Sequence, residues 1–284
     1  MDIKSLKNTS ETSVEELKIL QQAGVSQIII SDSETTPEKE RYSIDIFIQI
    51  KEKINEYISG IPNIPETDLN REKKIFTYIY MKIAQNIIYD ERASEACSLT
   101  GYGREMSENL INSASNLKGG LLKGSSLCSG YSEILRNILA EVGIKAKVIS
   151  GGAKTRGEAI NSYGPHAWNQ VCLDGVYYNC DLTNDVDFLL ECAKLPYFLK
   201  SNEELGEGER NRFFRYPPKY PDMVEEAKES VSDELQEKLI NEQRQILELQ
   251  KARETNSPQK KTTFMDKIKG FLGINKSKGD DERW

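Results

Sequence analysis

The chain has 284 residues, enough for one large domain or two modest ones with a sizeable core. A formal net charge of −7 gives no general affinity for nucleic acid, and 38% hydrophobic residues argue against wholesale disorder. No apolar run reaches the ~18 residues of a transmembrane helix, and the polar N-terminus MDIKSLKNTSETSVEEL does not look like a Sec signal, so a cytoplasmic protein is expected, with signal-independent export left open.

Residues 14–23 are expected to form a short amphipathic helix and Val25 to Ile30 a strand. Asp32 to Arg41 is charged, carries Pro37 and is expected to be a loop. Ile44, Phe47, Ile48, Ile54 and Ile58 predict a helix. After the break GIPNIPETD, Asp68 is the expected N-cap of a long helix ending near Tyr89. Asp90 to Gly124 is polar, with a short helix expected around Glu105 to Ser115.

The strongest helical pattern follows. Tyr131, Ile134, Leu135, Ile138, Leu139 and Val142 share one face, Ser125 and Ser126 are cap candidates, and Gly143 is the expected stop. KAKVIS predicts a strand and 151–164 a polar loop. HAWNQVCL and VYYNCDL predict two strands joined at Asp174-Gly175, a strong hairpin signal. From Asp222 to Glu254 acidic residues outnumber basic ones, which predicts a long solvent-facing helix. The tail is basic and places Phe264, Met265, Ile268, Phe271 and Leu272 on one stripe. Contact through 260–276 with an anionic membrane or with a partner protein are both open readings. The expected organisation is an N-terminal helical region over 1–65, a catalytic domain over 66–221, an acidic helix over 222–254 and a basic amphipathic tail over 255–284.

A two-residue turn at Asp174 and Gly175 places Leu173 opposite Val176 and Trp168 opposite Asp181. One face of the hairpin then carries His166, Trp168, Gln170, Tyr177, Asn179, Asp181 and Thr183, and the other is core. His166 and Asp181 become diagonal neighbours, about 7 Å apart. Such a carboxylate can fix an imidazole's tautomer and stabilise its cation. His166 is the one histidine, so multi-histidine metal sites are excluded, and no metal or cofactor is expected. The five cysteines form no Cys-x-x-Cys pair, which points to reduced thiols.

Cys128 lies where the strong helix begins. The helix N-terminus favours a thiolate, and the amides there can face a developing oxyanion. Gly130 admits the close approach of a backbone or a substrate. Either Cys128 or His166 alone is more simply a packing residue; nucleophile, base and orienting acid together favour chemistry.

LCSGYSEILRNILAEVGIKAKVISG and HAWNQVCLDGVYYNCD, with weaker flanking blocks YIYMKIAQNIIYD and YFLKSNEEL, resemble the transglutaminase-like superfamily of papain-like cysteine enzymes in its bacterial transglutaminase-core form. The resemblance covers roughly 70–205. It implies an α+β fold in which a Cys-bearing helix packs on an antiparallel sheet, with helical additions at both ends. It implies Cys128 as nucleophile, His166 as general base and acid, and Asp181 as orienting carboxylate. Gly130, Tyr131, Trp168 and Asn169 would bind substrate or support the site. Many relatives have Asp-x-Thr-Trp-Asp after the second strand, where this chain has Thr183, Asn184 and Asp185. The implied activity is acyl transfer from a protein or peptide carboxamide through a thioester, leaning to hydrolysis over transfer to an amine. The alternatives are a catalytically silent binding module and a membrane- or complex-tethered adaptor.

Overall fold

In the computed structural model the described residues are 2–30, 40–153, 164–189, 195–206 and 218–256. The chain divides into two units, Met1–Gln243 and Arg244–Trp284. The fold is α+β.

The N-terminal region is not purely helical. Strand β1 (Asp2–Leu6), helix α1 (Val14–Gln22), β2 (Val25–Ile30), β3 (Glu40–Ser43) and α2 (Ile44–Ser59) build a three-stranded sheet with two helices. β1 runs parallel to β2 and β3 antiparallel to it. Sequence pattern misses β1 because Asp2 to Ser5 are exposed and only Leu6 is buried. It misses β3 because four residues, two of them outward-facing, give too short an alternation. Helix α1 starts in a reciprocal capping box between Ser13 and Glu16. Helix α2 is capped by the Ser43 hydroxyl and buries Ile44, Phe47, Ile50 and Ile54.

Helix α3 (Arg71–Asn86) is shorter than expected at both ends. Asp68 does not cap it; its carboxylate accepts the Asn70 N–H and pairs with Lys74 at 2.8 Å. At the other end Ile87 turns extended and leads into β4 (Ile88–Tyr89), which pairs parallel with β5 (Ser125–Ser126). Between them lie α4 (Glu91–Cys97), α5 (Gly101–Ala114) and a π-helical turn over Gly119–Lys123.

Helix α6 (Cys128–Glu141) is central and buries Tyr131, Ile134, Leu135, Ile138 and Leu139. Gly143, at φ +77°, ends it. The second sheet follows: β6 (Lys145–Ala153), β7 (Gly164–Leu173) and β8 (Val176–Cys180), antiparallel in that order. Asp174 and Gly175 both take positive φ, as a type I′ turn requires, and Leu173 faces Val176. The expected register therefore holds from Asn169 to Leu173. Strand β8 stops at Cys180, however, and helix α7 (Leu182–Leu189) begins at once. Thr183 is thus helical rather than a strand partner of His166.

Both faces of this sheet are covered. One packs on α6; across the other run 195–206, which includes α8 (Asn202–Gly206), and 218–231. Gln170 exchanges hydrogen bonds with the Glu225 backbone at 2.7 and 2.9 Å, and Asn179 with Lys200 at 2.7 Å. The polar and aromatic face is therefore covered, with Trp168, Gln170 and Asn179 buried. The acidic segment departs from expectation as well. Its first part is extended, and α9 begins only at Asp233, running Asp233–Asn256, with Gln236, Leu239, Ile240 and Gln243 buried. No helix among the described residues is long and apolar enough to cross a membrane. The expected tail helix over 260–276 and most of the expected loops at 32–41 and 151–164 lie outside the described residues.

Candidate active site

The N-cap of α6 is Leu127, not a serine, and no side chain caps the helix. Ser126 instead donates to the Ala114 carbonyl at 3.0 Å and Ser125 to Asp90 at 2.9 Å. Cys128 therefore opens a helix whose first amides are uncapped by a side chain. That is the local field that favours a thiolate.

Gly130 and Tyr131 fix the start of this helix. A Cβ on Gly130 would lie 2.1 Å from Ser126 Oγ and 2.5 Å from the Ala114 carbonyl oxygen, so only glycine lets α6 pass the end of α5 this closely. Tyr131 is fully buried, and its hydroxyl donates to the Ile87 carbonyl at 2.7 Å. Asn169 donates to the Ser132 and Lys147 carbonyls at 3.0 and 3.2 Å, tying α6 to the sheet. Trp168 is buried among Ile149, Ala153, Tyr197 and Leu205. These contacts pack or tie the segments that carry Cys128 and His166.

His166 stands on β7 opposite Gly151, and Asp181 is the residue before α7. The ring Nε2 meets Asp181 Oδ2 at 2.7 Å, and the ring also hydrogen-bonds the Cys128 thiol. With Nε2 on the carboxylate, Nδ1 is the nitrogen left for sulfur. Burial alone pushes the Cys128 thiol up; the hydrogen bond and charge of His166, with the Ala167 N–H, outweigh it and bring the thiol below its usual range. Burial likewise disfavours the imidazolium, but the charge and hydrogen bond of Asp181, with the Cys128 contact, raise His166 to about 10. The arrangement favours a thiolate–imidazolium pair. Cys128 is half-buried and His166 is nearly so, with 11% of its side chain exposed, which leaves the pair reachable from one side.

Asp181 reaches His166 from a helix cap rather than from a strand. The Asn184 N–H donates to its Oδ1 at 3.2 Å and the Asn184 amide to its Oδ2 at 2.7 Å. One turn on, Asp185 is fully buried. Burial pushes its carboxyl well above the usual range, although the Tyr80 hydroxyl and the Tyr197 N–H donate to it at 2.7 and 3.0 Å. The Asp181 N–H in turn donates to the Tyr197 carbonyl at 3.2 Å. Helix α3, the 195–206 segment and α7 thus converge on Asp181. Sequence reasoning passed over Asn184 and Asp185 as support. The available signal was Asp181-x-x-Asn184 ahead of Val186, a helix-start spacing read as the end of a strand.

With this geometry in place, comparison adds the family. Residues 60–182 match the model of the Transglutaminase-like superfamily, and the match contains Cys128, His166 and Asp181. This segment is thus similar to the core of that superfamily, as its Cys and His blocks suggested. Among solved structures, a TGase is 18% identical with a TM-score of 0.34, over 49% of this chain and 32% of its own. A candidate cysteine protease from Cytophaga hutchinsonii is 14% identical with a TM-score of 0.30, over 53% of this chain and 45% of its own. The chain therefore spans less than half the length of either. No curated protein matches.

Proposed function

We propose that the protein is an acyl-transfer enzyme that attacks a protein or peptide carboxamide with Cys128. His166 takes the thiol proton, and Asp181 orients the imidazole and stabilises its cation. The thiolate adds to the carbonyl carbon. The tetrahedral oxyanion faces the amides at the start of α6, and His166 returns its proton to the leaving nitrogen as the C–N bond breaks. Water then cleaves the thioester, with His166 as base, to release the acid and regenerate the thiol. We take hydrolysis over transfer to an amine because water is always available and no sequence motif marks an amine-binding pocket.

The observation that carries the proposal is the 2.7 Å contact of His166 Nε2 with Asp181, on a ring that also bonds a thiol at a helix N-terminus. The test is the rate of Cys128 alkylation by iodoacetamide against pH, read by mass spectrometry in the wild type and in His166→Ala. Rapid labelling well below pH 8 that His166→Ala slows is the expected result. Labelling no faster than that of Cys97, indifferent to His166, would make the chain a silent binding module. Mass spectrometry of glutamine-containing peptides after reaction, with and without an added primary amine, then separates hydrolysis, which leaves glutamate, from transfer, which leaves the amine adduct.

A further inference from the structure

Asn184 stands where the family pattern has tryptophan, and it touches the triad. Its side-chain amide donates at 2.7 Å to Asp181 Oδ2, the same oxygen that meets His166 Nε2 at 2.7 Å. Its backbone N–H donates to Oδ1 at 3.2 Å. An ionised carboxylate only accepts, so the amide must present its NH2 group. The backbone bond is open to any residue but proline; the side-chain bond is what asparagine adds.

Asp181 needs such donors. It is fully buried, and a carboxylate out of water stays ionised only as far as hydrogen bonds and cations compensate. Among the described residues, the titratable groups that face it include His166 from β7, Cys128 from α6, Tyr80 from α3, Cys180 from β8, Asp185 from α7 and Tyr197 from the covering segment. Of these, His166 can bring positive charge; Lys200 acts on the neighbouring Asp185. A carboxylate beside a second buried carboxyl depends strongly on each neutral donor it has.

We propose that Asn184 is a positioning residue: its amide keeps Asp181 ionised and pins Oδ2 against His166, so that the imidazole stays aligned on Cys128. The proposal rests on the reading of Cys128 and His166 given above.

The test uses the full chain, with Asn184→Ala and the near-isosteric Asn184→Leu. Neither side chain donates to Asp181. Each variant is compared with the wild type by Cys128 alkylation against pH and by NMR titration of His166, whose ring signals come from the one histidine in the chain. The acid limb of the alkylation profile should rise by about one pH unit in both variants, with alkylation at pH 6 about tenfold slower. A purely structural role predicts a lower melting temperature with an unmoved acid limb, and that result overturns the proposal. A shift in the alanine variant alone would assign the effect to packing and overturn it too. Should wild-type Cys128 prove unreactive, the nucleophile reading fails separately, and the ring titration still decides the role of Asn184. The acid-side step in the His166 shifts, which reports protonation of Asp181, moves to higher pH in both variants if Asn184 acts as proposed and stays in place if it does not.

Discussion

Helix α6 carries a buried polar cluster at each end, and the two are built differently. At its start, Cys128, His166 and Asp181 form a chain of hydrogen bonds that ends on a half-buried sulfur. Along its later turns, Glu133, Asn137 and Glu141 line a stripe beneath the N-terminal region. There Lys51 pairs with Glu141 at 2.5 Å and bonds the Thr9 carbonyl at 2.8 Å, Thr9 bonds Asn137, and Arg136 forks onto Glu133. Tyr42 and Glu40 close this second cluster from β3. The second cluster pairs its charges and shuts them in; the first leaves a polarised pair open on one side. Buried ion pairs alone therefore do not mark a site. A nucleophile with an accessible atom does.

The comparison breaks most visibly under substitution at the reactive end. Cys128→Ala should abolish turnover while leaving the melting temperature within a few degrees, because a small half-buried side chain is lost. His166→Ala should slow Cys128 alkylation near pH 7 by about 10²-fold or more, since the thiol loses both its base and its counter-ion. If the two clusters were equivalent structural devices, both variants would be felt in stability and neither in reactivity.

The opposite result is expected at the other end. Lys51→Met leaves Glu141 buried without its cation, which should cost about 3 kcal/mol in urea unfolding. The pH profile of Cys128 alkylation should stay in place wherever the variant is folded. Gly130→Ala tests the link between the two ends. The added methyl meets a backbone carbonyl at 2.5 Å, so the start of α6 must shift. We expect a loss of about 2 kcal/mol of stability together with slower alkylation, as overpacking of this kind predicts.

The reactive end was the more legible of the two. Cys128 at a helix start, and His166 set near Asp181 by the Asp174-Gly175 turn, follow from local pattern, because turn chemistry fixes register and register fixes faces. The route to Asp181 was not legible: a helix cap, not a strand, presents it, and Asp181-x-x-Asn184 was the overlooked sign. The sealed end was invisible. β1 exposes nearly all its residues, and the pairing of Lys51 with Glu141 joins positions far apart in sequence through charges that look solvated when read singly. The segments 195–206 and 218–231 escaped for the same reason. Gln170 and Asn179 hold them by side-chain bonds to backbone, which leave no periodic trace.

The finest contrast is in pH dependence. Burial and the charge of Glu133 raise Glu40 to about 7 from an ordinary 4.5, against the pull of Tyr42 and Arg136. The folded state then binds a proton that the unfolded state has released. Stability from this group is fully present below pH 4.5 and is lost as pH rises through 7, about 2 kcal/mol of it between pH 5 and 7. His166 is raised too, so its contribution is present below its unfolded value of 6.5 and is lost as pH rises through about 10. Cys128 is lowered, so its contribution has the opposite sign, gained on the way up to its unfolded value of 9.0, and it partly offsets the histidine. Glu40 of the sealed end therefore acts on the acid side of neutrality, together with the buried Asp185 beside the reactive end, and His166 and Cys128 act on the alkaline side. Glu40→Gln should flatten the urea-unfolding free energy between pH 5 and 7 and leave its course above pH 8 unchanged. An unaltered slope below pH 7 in that variant would place the acid-side titration elsewhere and remove the distinction between the two ends.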